Sequence, residues 1–392
     1  MKEFFADIHI HIGRTRTGRA VKITGARSLT IDQILKEASQ SKGMGMIGVI
    51  DAQSPEVLEE LKDGVKEGRY SELDDGGLSF GQTVLLLGSE LEINDGYSNG
   101  PIHVLAFMPT LIKMSEFSAW LALHMKNVHL SSQRLYVDGR TLQRKVKELG
   151  GLFIPAHIFT PHKSLYGKGV KASLTEVFDP NFIDAVELGL SCDTSMASQL
   201  SELNRYPFLT NSDAHSLGKI AREYTKILMD HASFREFALA LQGKDGRKIT
   251  GNYGLAPQLG KYYHTTCEKC GVRPNEYDHV CQTCGHTRFI KGVSERLKEL
   301  ADQECDKGKR PPYVHQLPLQ FIPGVGAKTL EKLKTVFQTE MNILHQATEK
   351  ELKNVLPEKT ANYIIKARKG EVGLIAGGGG VYGKVDINHE AT

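Results

Sequence analysis

The chain predicts an α/β fold in which a barrel-like domain of alternating strands and helices comes first and two small accessory units follow. Three observations carry that expectation. Short β-rich runs alternate with helical patterns to about residue 250, histidines and carboxylates recur just after those runs, and two Cys-x-x-C pairs precede a compact helical segment. A length of 392 residues suits two or three domains. With 40% hydrophobic and 24% charged residues, the composition is globular rather than disordered.

Seven runs read as strands: Phe4–His11, Met46–Ile50, Thr83–Gly88, Ile102–Phe107, Leu152–Ala156, Ala185–Leu188 and Pro207–Asn211. Helical stretches lie between or after them at Ser54–Glu67, Ser115–Lys126, Thr141–Leu149, Ser195–Leu203 and Ala232–Leu241. The first carries a start signal, because Ser54 can cap it and Pro55 suits the first helical position. Such alternation fits parallel strands with crossover helices, in a barrel or an open sheet. Polar residues favour the barrel. His9 and His11 close the first run, Asp51 follows the second, Glu90 the third, His157 the fifth, and Asp213 with His215 the seventh. Glu187 lies within the sixth, and His103 sits early in the fourth. Loops at one end of barrel strands converge on one cavity, which is where catalytic groups collect.

His9 and His11 point to one face of their strand, so two imidazoles can share a cation. Glu90, His103, His157, Asp213 and His215 add the nitrogen and oxygen ligands that divalent ions take. Asp51 and Glu187 can orient water or imidazoles, with a structural hydrogen bond the favoured role for Glu187. The loop from 12 to 29 carries Arg14, Arg16, Arg19, Lys22 and Arg27 and no acidic residue. It leaves the proposed metal mouth, where guanidinium groups can hold the phosphates flanking a scissile one.

These segments, in this order, resemble the polymerase-and-histidinol-phosphatase (PHP) superfamily of metal-dependent phosphoesterases. The resemblance implies a distorted seven-stranded (β/α) barrel with clustered metals. His9, His11 and Asp213 would hold one ion, Glu90 would bridge to a second held by His103 and His157, and His215 belongs to a third position. Ala52 stands where the family's Thr-Asp-His motif has its histidine, Asp51 keeping the acidic position. The loop after His11 offers no further His or Asp. Two ions (zinc, magnesium or manganese) are therefore expected, with His215 marking where a third would sit. A pair of ions suits phosphoester hydrolysis by activated water, with no protein nucleophile.

Cys267-Glu-Lys-Cys270-Gly271 and Cys281-Gln-Thr-Cys284-Gly285 read as two knuckles around one structural zinc. Four thiolates complete a tetrahedron, and each glycine permits the turn that aims backbone N–H groups at sulfur. Cys192 and Cys305 stand apart. Residues 251–263, with three glycines and a proline, read as the linker into this unit.

Phe321-Ile-Pro323-Gly-Val-Gly326-Ala-Lys328-Thr329-Leu330 resembles the helix-hairpin-helix motif, whose Gly-x-Gly turn offers N–H groups to a DNA phosphate. Gly324, Gly326, Lys328 and Thr329 are the contact candidates, with Lys332 and Lys334 adding charge nearby. A degenerate second copy is expected over 349–369. A P-loop is excluded because Ala327 occupies a position that requires glycine, so no nucleotide cofactor is expected. Gln316-Leu-Pro-Leu319-Gln-Phe321 looks like the hexapeptide that docks on a sliding clamp, although Leu319 and Phe321 are expected to pack the hairpin core.

The three units together resemble the endonuclease Q family of DNA-repair nucleases. Further family-like stretches are Ser131–Val137, Ala156–Pro161 and Arg205–His215. The resemblance implies cutting of damaged DNA on the 5′ side of uracil, hypoxanthine or xanthine, and at abasic sites. The expected domains are 1–250 (barrel), 251–316 (zinc unit and connector), 317–370 (helical unit) and 371–392, a tail containing Gly377–Gly380. A pocket for the extruded base is expected around Arg134–Tyr136 and Pro161–Tyr166. A phosphatase of small phosphomonoesters and a DNA-binding scaffold are the alternatives. Lys+Arg 49 against Asp+Glu 46 gives only +3, so DNA binding must rest on local patches. No apolar run approaches the roughly 18 residues of a membrane span, and the N-terminus lacks a secretory stretch; a cytoplasmic protein is expected.

Overall fold

The computed structural model describes residues 1–275, 279–304 and 310–371, with the backbone of two short paired strands at Leu374–Ile375 and Lys384–Val385. Cys305 and Gly377–Gly380 lie outside the described residues. The first half runs β1 (Lys2–Ile10), α1 (Ile31–Lys36), β2 (Met46–Val49), α2 (Pro55–Lys66), β3 (Ser71–Glu72), β4 (Leu78–Phe80), β5 (Thr83–Ile93), β6 (Ile102–Met108), α3 (Leu111–Ala122), β7 (Arg134–Leu135) and α4 (Gly139–Glu148). There follow β8 (Leu152–Pro155), β9 (Val186–Glu187), α5 (Thr194–Ala197), β10 (Phe208–Leu209), β11 (Tyr224–Met229), α6 (Phe234–Leu241) and β12 (Lys248–Gly254). The accessory region holds β13 (Thr266–Cys267), β14 (Phe289–Ile290), α7 (Val293–Leu300), β15 (Tyr313–His315), α8 (Ala327–Phe337), α9 (Glu340–His345), α10 (Glu349–Val355) and α11 (Glu358–Arg368). No helix among the described residues is long and apolar enough to cross a membrane.

β1 is central to the sheet. It pairs in parallel with β2 and antiparallel with β11, and β2 passes the sheet on to β5, β6 and β8. β9 and β10 form their own parallel pair. Asp184 N–H donates to the Phe153 carbonyl on one side of that pair. On the other side Ile10 bridges Ala214, and Ile8 N–H donates to Asn211 Oδ1 at 2.9 Å. Strands buried on both faces explain the near-continuous apolar runs: every residue of β2, β6 and β8 is buried.

Helix α2 begins after Ser54 with Pro55 first, although the Ser54 hydroxyl donates to Glu56 instead of capping, and buries Val57, Leu58, Leu61 and Gly64 on one face. α3 starts at Leu111, a turn before the expected Ser115, because Thr110 accepts from Lys113 N and caps it there. The expected linker is also displaced. Gly251 to Gly254 belong to β12, paired with β11, and Tyr313–His315 returns to pair in parallel with β12. The connector thus leaves the sheet after Gly254 and rejoins it at β15, which fixes both of its ends.

The helical unit is fastened to the part of the α/β region that carries β1 and α1. Lys42 Nζ donates to Glu340 at 2.9 Å in a buried ion pair. Gly43, at φ 82°, passes so close to Thr339 that a Cβ would lie 2.5 Å from its hydroxyl. The His345 ring stacks on Phe5 at 4.4 Å, and its Nε2 lies 2.7 Å from the Tyr224 hydroxyl oxygen. Burial, with Lys226 and Arg368 nearby, pushes the His345 pKa down to about 4, so the ring is neutral.

Candidate metal centre and cavity

The strand ends bring the predicted ligands together. Three groups each hold their ligand atoms within 4.8 Å of one another: His9, His11 and Glu90; Glu90, His103 and His157; His11, Asp213 and His215. Glu90 belongs to two groups and His11 to two. Asp213 Oδ1 lies 3.5 Å from Nε2 of both His9 and His11. Two of these residues sit in a strained backbone region, His157 at φ 30° and Asp213 at φ 45°. Such strain persists only where surrounding structure enforces it, which is common at functional sites.

Each deep imidazole is aimed by a carboxylate behind it. His9 Nδ1 donates to Glu187 at 2.9 and 3.0 Å, leaving Nε2 facing the cluster. Glu187 also accepts from Asn211 Nδ2 and His157 N–H, both at 2.8 Å. Burying a carboxylate costs several kcal/mol, and charge-assisted bonds of about 1.5–3 kcal/mol each recover it. His11 Nδ1 donates to Asp51 Oδ2 at 3.2 Å, and that oxygen also takes the Ile12 N–H at 2.7 Å. Asp51 and Glu187 therefore orient imidazoles rather than join the three ligand groups. Ala52 beside Asp51 is fully buried.

Residues that motif reasoning left unassigned complete the surroundings. Ser131 Oγ lies 3.1 Å from His11 Nδ1, Ser132 donates to Glu90 Oε2, and Lys22 Nζ donates to Ser132 at 2.6 Å and to Glu90 at 3.3 Å. The signal for the serines was their place in the stretch Ser131–Val137. Lys261 and Tyr262, from the connector, had no sequence signal beyond following Gly260. With Lys22, Ile23, Gln133, His162, Lys163, Lys219 and the candidate ligands other than the fully buried His9 they line a cavity of about 610 Å³.

Charge balance shows what the cluster accepts. Burial works against an ionised His9, but Glu187 and Asp213 outweigh it and hold the imidazole well above its ordinary pKa. His11 and His103 are raised in the same way, against burial, by Asp51 and by Glu90. Burial would likewise raise Glu90 and Asp213, yet facing histidines hold both well below the carboxylate range. His9 Nε2 and Asp213 Oδ1, 3.5 Å apart, are buried without a hydrogen-bond partner. Orphaned donor atoms converging beside carboxylates fit a divalent cation.

Several expectations need correction. Arg16 and Arg19 do not reach the cavity: Arg19 pairs with Glu56, and Arg16 lies 3.8 Å from Asp63, both on α2. Arg14 turns onto the Gly13 carbonyl. Acidic residues on a neighbouring helix, distant in sequence, take these cations, and of the loop's basic residues Lys22 lines the cavity. Tyr166 is fully buried and donates to Glu202, and Arg134 packs over Tyr136, so neither builds the pocket. In the hexapeptide, Gln316, Leu317 and Leu319 are buried and Gln316 accepts from Tyr224. That segment is not a free docking peptide, while Phe321 is 45% exposed rather than packed.

The four cysteines form a second cluster within one hairpin, Cys267 and Cys284 Sγ at 3.6 Å and Cys270 and Cys281 at 3.4 Å. Gly271 and Gly285 sit at φ 70° and 69°. Burial opposes ionisation, yet the backbone N–H groups of Thr283 and Cys284 bring the Cys281 thiol down to about 6. In the helical unit, Gly324 turns at φ 85° and α8 starts at Gly326 without a side-chain cap, with Lys328 exposed beside it. Lys332 instead donates to the Val355 carbonyl and Lys334 to Ser41.

A PHP-type α/β fold with a histidine and carboxylate centre is the class these features define. The family described as PHP-associated matches residues 194–244. The uncharacterized protein YqxK of Bacillus subtilis is 64% identical over 385 residues, covering 98% of this chain and 100% of that protein. The lesion-specific endonuclease PfuEndoQ from Pyrococcus furiosus superposes with a TM-score of 0.86 at 29% identity, over 100% of this chain and 96% of that one. An endonuclease Q complexed with a 27-mer duplex substrate, an abasic lesion at its active site, gives 0.85 at 29% identity over 100% and 98%. The chain belongs to the endonuclease Q family.

Proposed function

We propose that this protein is a DNA-repair endonuclease that hydrolyses the phosphodiester 5′ to deaminated bases (uracil, hypoxanthine, xanthine) and at abasic sites. One observation carries the reading: three ligand groups sharing Glu90 and His11 open into one large cavity, in a chain that superposes over its whole length on a lesion-specific endonuclease.

His9, His11 and Asp213 would hold one cation, His103 and His157 a second through shared Glu90, and His215 with His11 and Asp213 would serve a third. Bound divalent ions would supply acidified water and neutralise charge on the phosphate. Glu187 and Asp51 keep the Nδ1 protons of His9 and His11, so that Nε2 faces the cation. Lys22, Lys163 and Lys261 line the way in and would meet phosphates.

The ring β1, β2, β5, β6, β8, β9 and β10 would constitute the distorted seven-stranded barrel of residues 1–250. Residues 251–316 would carry a structural zinc on Cys267, Cys270, Cys281 and Cys284. Residues 317–370 would be the helix-hairpin-helix unit, offering the N–H groups at Gly324 and Gly326 and the side chains of Lys328 and Thr329 to a phosphate. The test is one gel. Labelled duplexes with uracil, hypoxanthine, an abasic site or no lesion are incubated with magnesium, manganese or zinc. Nicking of lesion duplexes alone, stopped by EDTA and by His9→Ala, is expected; release of phosphate from monoesters without DNA cutting would replace this reading with a phosphatase.

A further inference from the structure

The loop between β1 and α1 presents something other than its arginines to the cavity. Lys22-Ile23-Thr24-Gly25 is a tight turn, closed by Gly25 N–H on the Lys22 carbonyl at 3.0 Å. Both limbs are fastened. Val21 N–H donates to the Gly13 carbonyl at 3.1 Å and Lys22 N–H to the Ile12 carbonyl at 2.8 Å. Ser131 N–H takes the Val21 carbonyl at 3.0 Å, and Ala26 N–H donates to the carbonyl of His215 at 2.9 Å. The limbs touch so closely that a Cβ on Gly13 would lie 2.0 Å from the Ala26 carbonyl oxygen. Lys22 also reaches Glu90. The turn is therefore indexed to the ligand cluster by backbone at one end and by a side chain at the other.

At the tip of this turn Ile23 is 68% exposed and lines the cavity together with Leu130, Gln133 and Tyr262. A single exposed aliphatic residue is ordinary on a protein surface. Ile23 differs because a close-packed turn holds it out on the wall of the cavity that the ligand groups line.

We propose that Ile23 is a wedge. It enters the base stack of the bound duplex and fills the gap left by the nucleotide drawn toward the cluster. The inference rests on the endonuclease reading above and deepens it. A base stacked and paired in a duplex cannot reach ligand groups at the back of a cavity; it has to leave the helix, which costs unstacking and unpairing. An apolar side chain inserted between the neighbouring bases recovers part of that cost. An isoleucine suits the role because its branched side chain is stiff and carries no polar atom into the stack.

The experiment compares the full-length protein with Ile23→Ala and Ile23→Leu on one uracil strand, presented either paired or single-stranded. A second arm places 2-aminopurine next to the lesion in a duplex whose 5′ linkage resists cutting, so that its emission reports unstacking on binding. Ile23→Ala is expected to cut the paired strand roughly ten-fold or more slowly while staying within about three-fold on the single strand, where little stack has to open. Ile23→Leu is expected to keep duplex cutting. Emission is expected to rise with the wild type and Ile23→Leu and to stay low with Ile23→Ala. Equal losses on both substrates, or none on the duplex, would overturn the wedge. Where a substrate is left uncut by the wild type, the fluorescence arm decides. A wild type that binds and brightens the lesion duplex without cutting overturns the nuclease reading and keeps the wedge, and one that neither binds nor cuts overturns both.

Discussion

The four-cysteine cluster and the histidine-carboxylate cluster both gather groups that could hold a cation, but they draw on different parts of the chain. Cys267 to Cys284 lie in one short hairpin, and their thiolates are met by amide N–H groups of the same turns. His9 and Asp213 come from opposite ends of the α/β region, and His9 is oriented by Glu187 of β9, itself held by Asn211 from the segment after β10. The first cluster carries its support with it. The second borrows its support from the packed sheet, and its carboxylates leave it charged, buried and incompletely bonded without a cation. A self-contained thiolate site suits a structural ion, whereas a site with shared carboxylates and an open cavity suits chemistry.

Substitutions can break this contrast. The largest effect is expected from His9→Ala, which should reduce nicking of a uracil duplex to the rate without enzyme while leaving the cysteine cluster's metal in place. Metal analysis beside the cleavage gel checks both halves, and loss of both metals together would mean the clusters are coupled. Glu187→Gln tests the borrowed support itself. It should lower metal affinity or turnover by about 10–100-fold with the fold intact by circular dichroism. Unchanged affinity would mean that Glu187 only fills space.

Cys281→Ser should remove about one zinc per chain and weaken DNA binding, with a smaller loss of turnover at saturating DNA than His9→Ala. Turnover lost as completely as in His9→Ala would give the cysteine cluster a catalytic share.

The subtlest effect is in pH. In the metal-free protein His9, His11 and His103 have raised pKa values, so their contribution to stability is full below the ordinary 6.5 and fades as pH rises through the raised values. Glu90 and Asp213 are depressed, so theirs is full above the ordinary 4.5 and 3.8 and is lost as pH falls through the depressed values. Metal uptake must displace the imidazole protons, so affinity should climb with pH across the raised range. Calorimetry in two buffers of different ionisation heat should register the release of at least about one proton near neutrality. Buffer-independent heats would contradict the charge balance described for this cluster.

Much of this arrangement is legible before folding. The seven apolar runs lie where β1, β2, β5, β6, β8, β9 and β10 form, since strands buried on both faces must be almost wholly apolar. The Cys-x-x-C spacing marks its cluster because neighbouring residues supply every ligand. The errors have one cause as well. Arg16 and Arg19 are basic in a loop at the metal mouth, but the acidic face of α2 lies within reach and takes them. Tyr166 follows His157 closely in sequence, yet its ring is needed in the core and only residues up to Lys163 turn toward the cavity. In the hexapeptide after β15, Leu319 packs as expected and Tyr224 binds Gln316, whereas Phe321, expected in the hairpin core, is left 45% exposed.

By itself the amino-acid order determined where seven of the strands form, though not β11 and β12, which residue types stand at their ends and where four thiols lie close together, because these follow from periodicity and near-neighbour spacing. Tertiary structure alone decided which carboxylate aims which imidazole, that Lys22 reaches Glu90, and that Ile23 rather than an arginine of the same loop faces the cavity. Those outcomes depend on partners far away in the chain, and a partner's distance in space is not written in the spacing of residues.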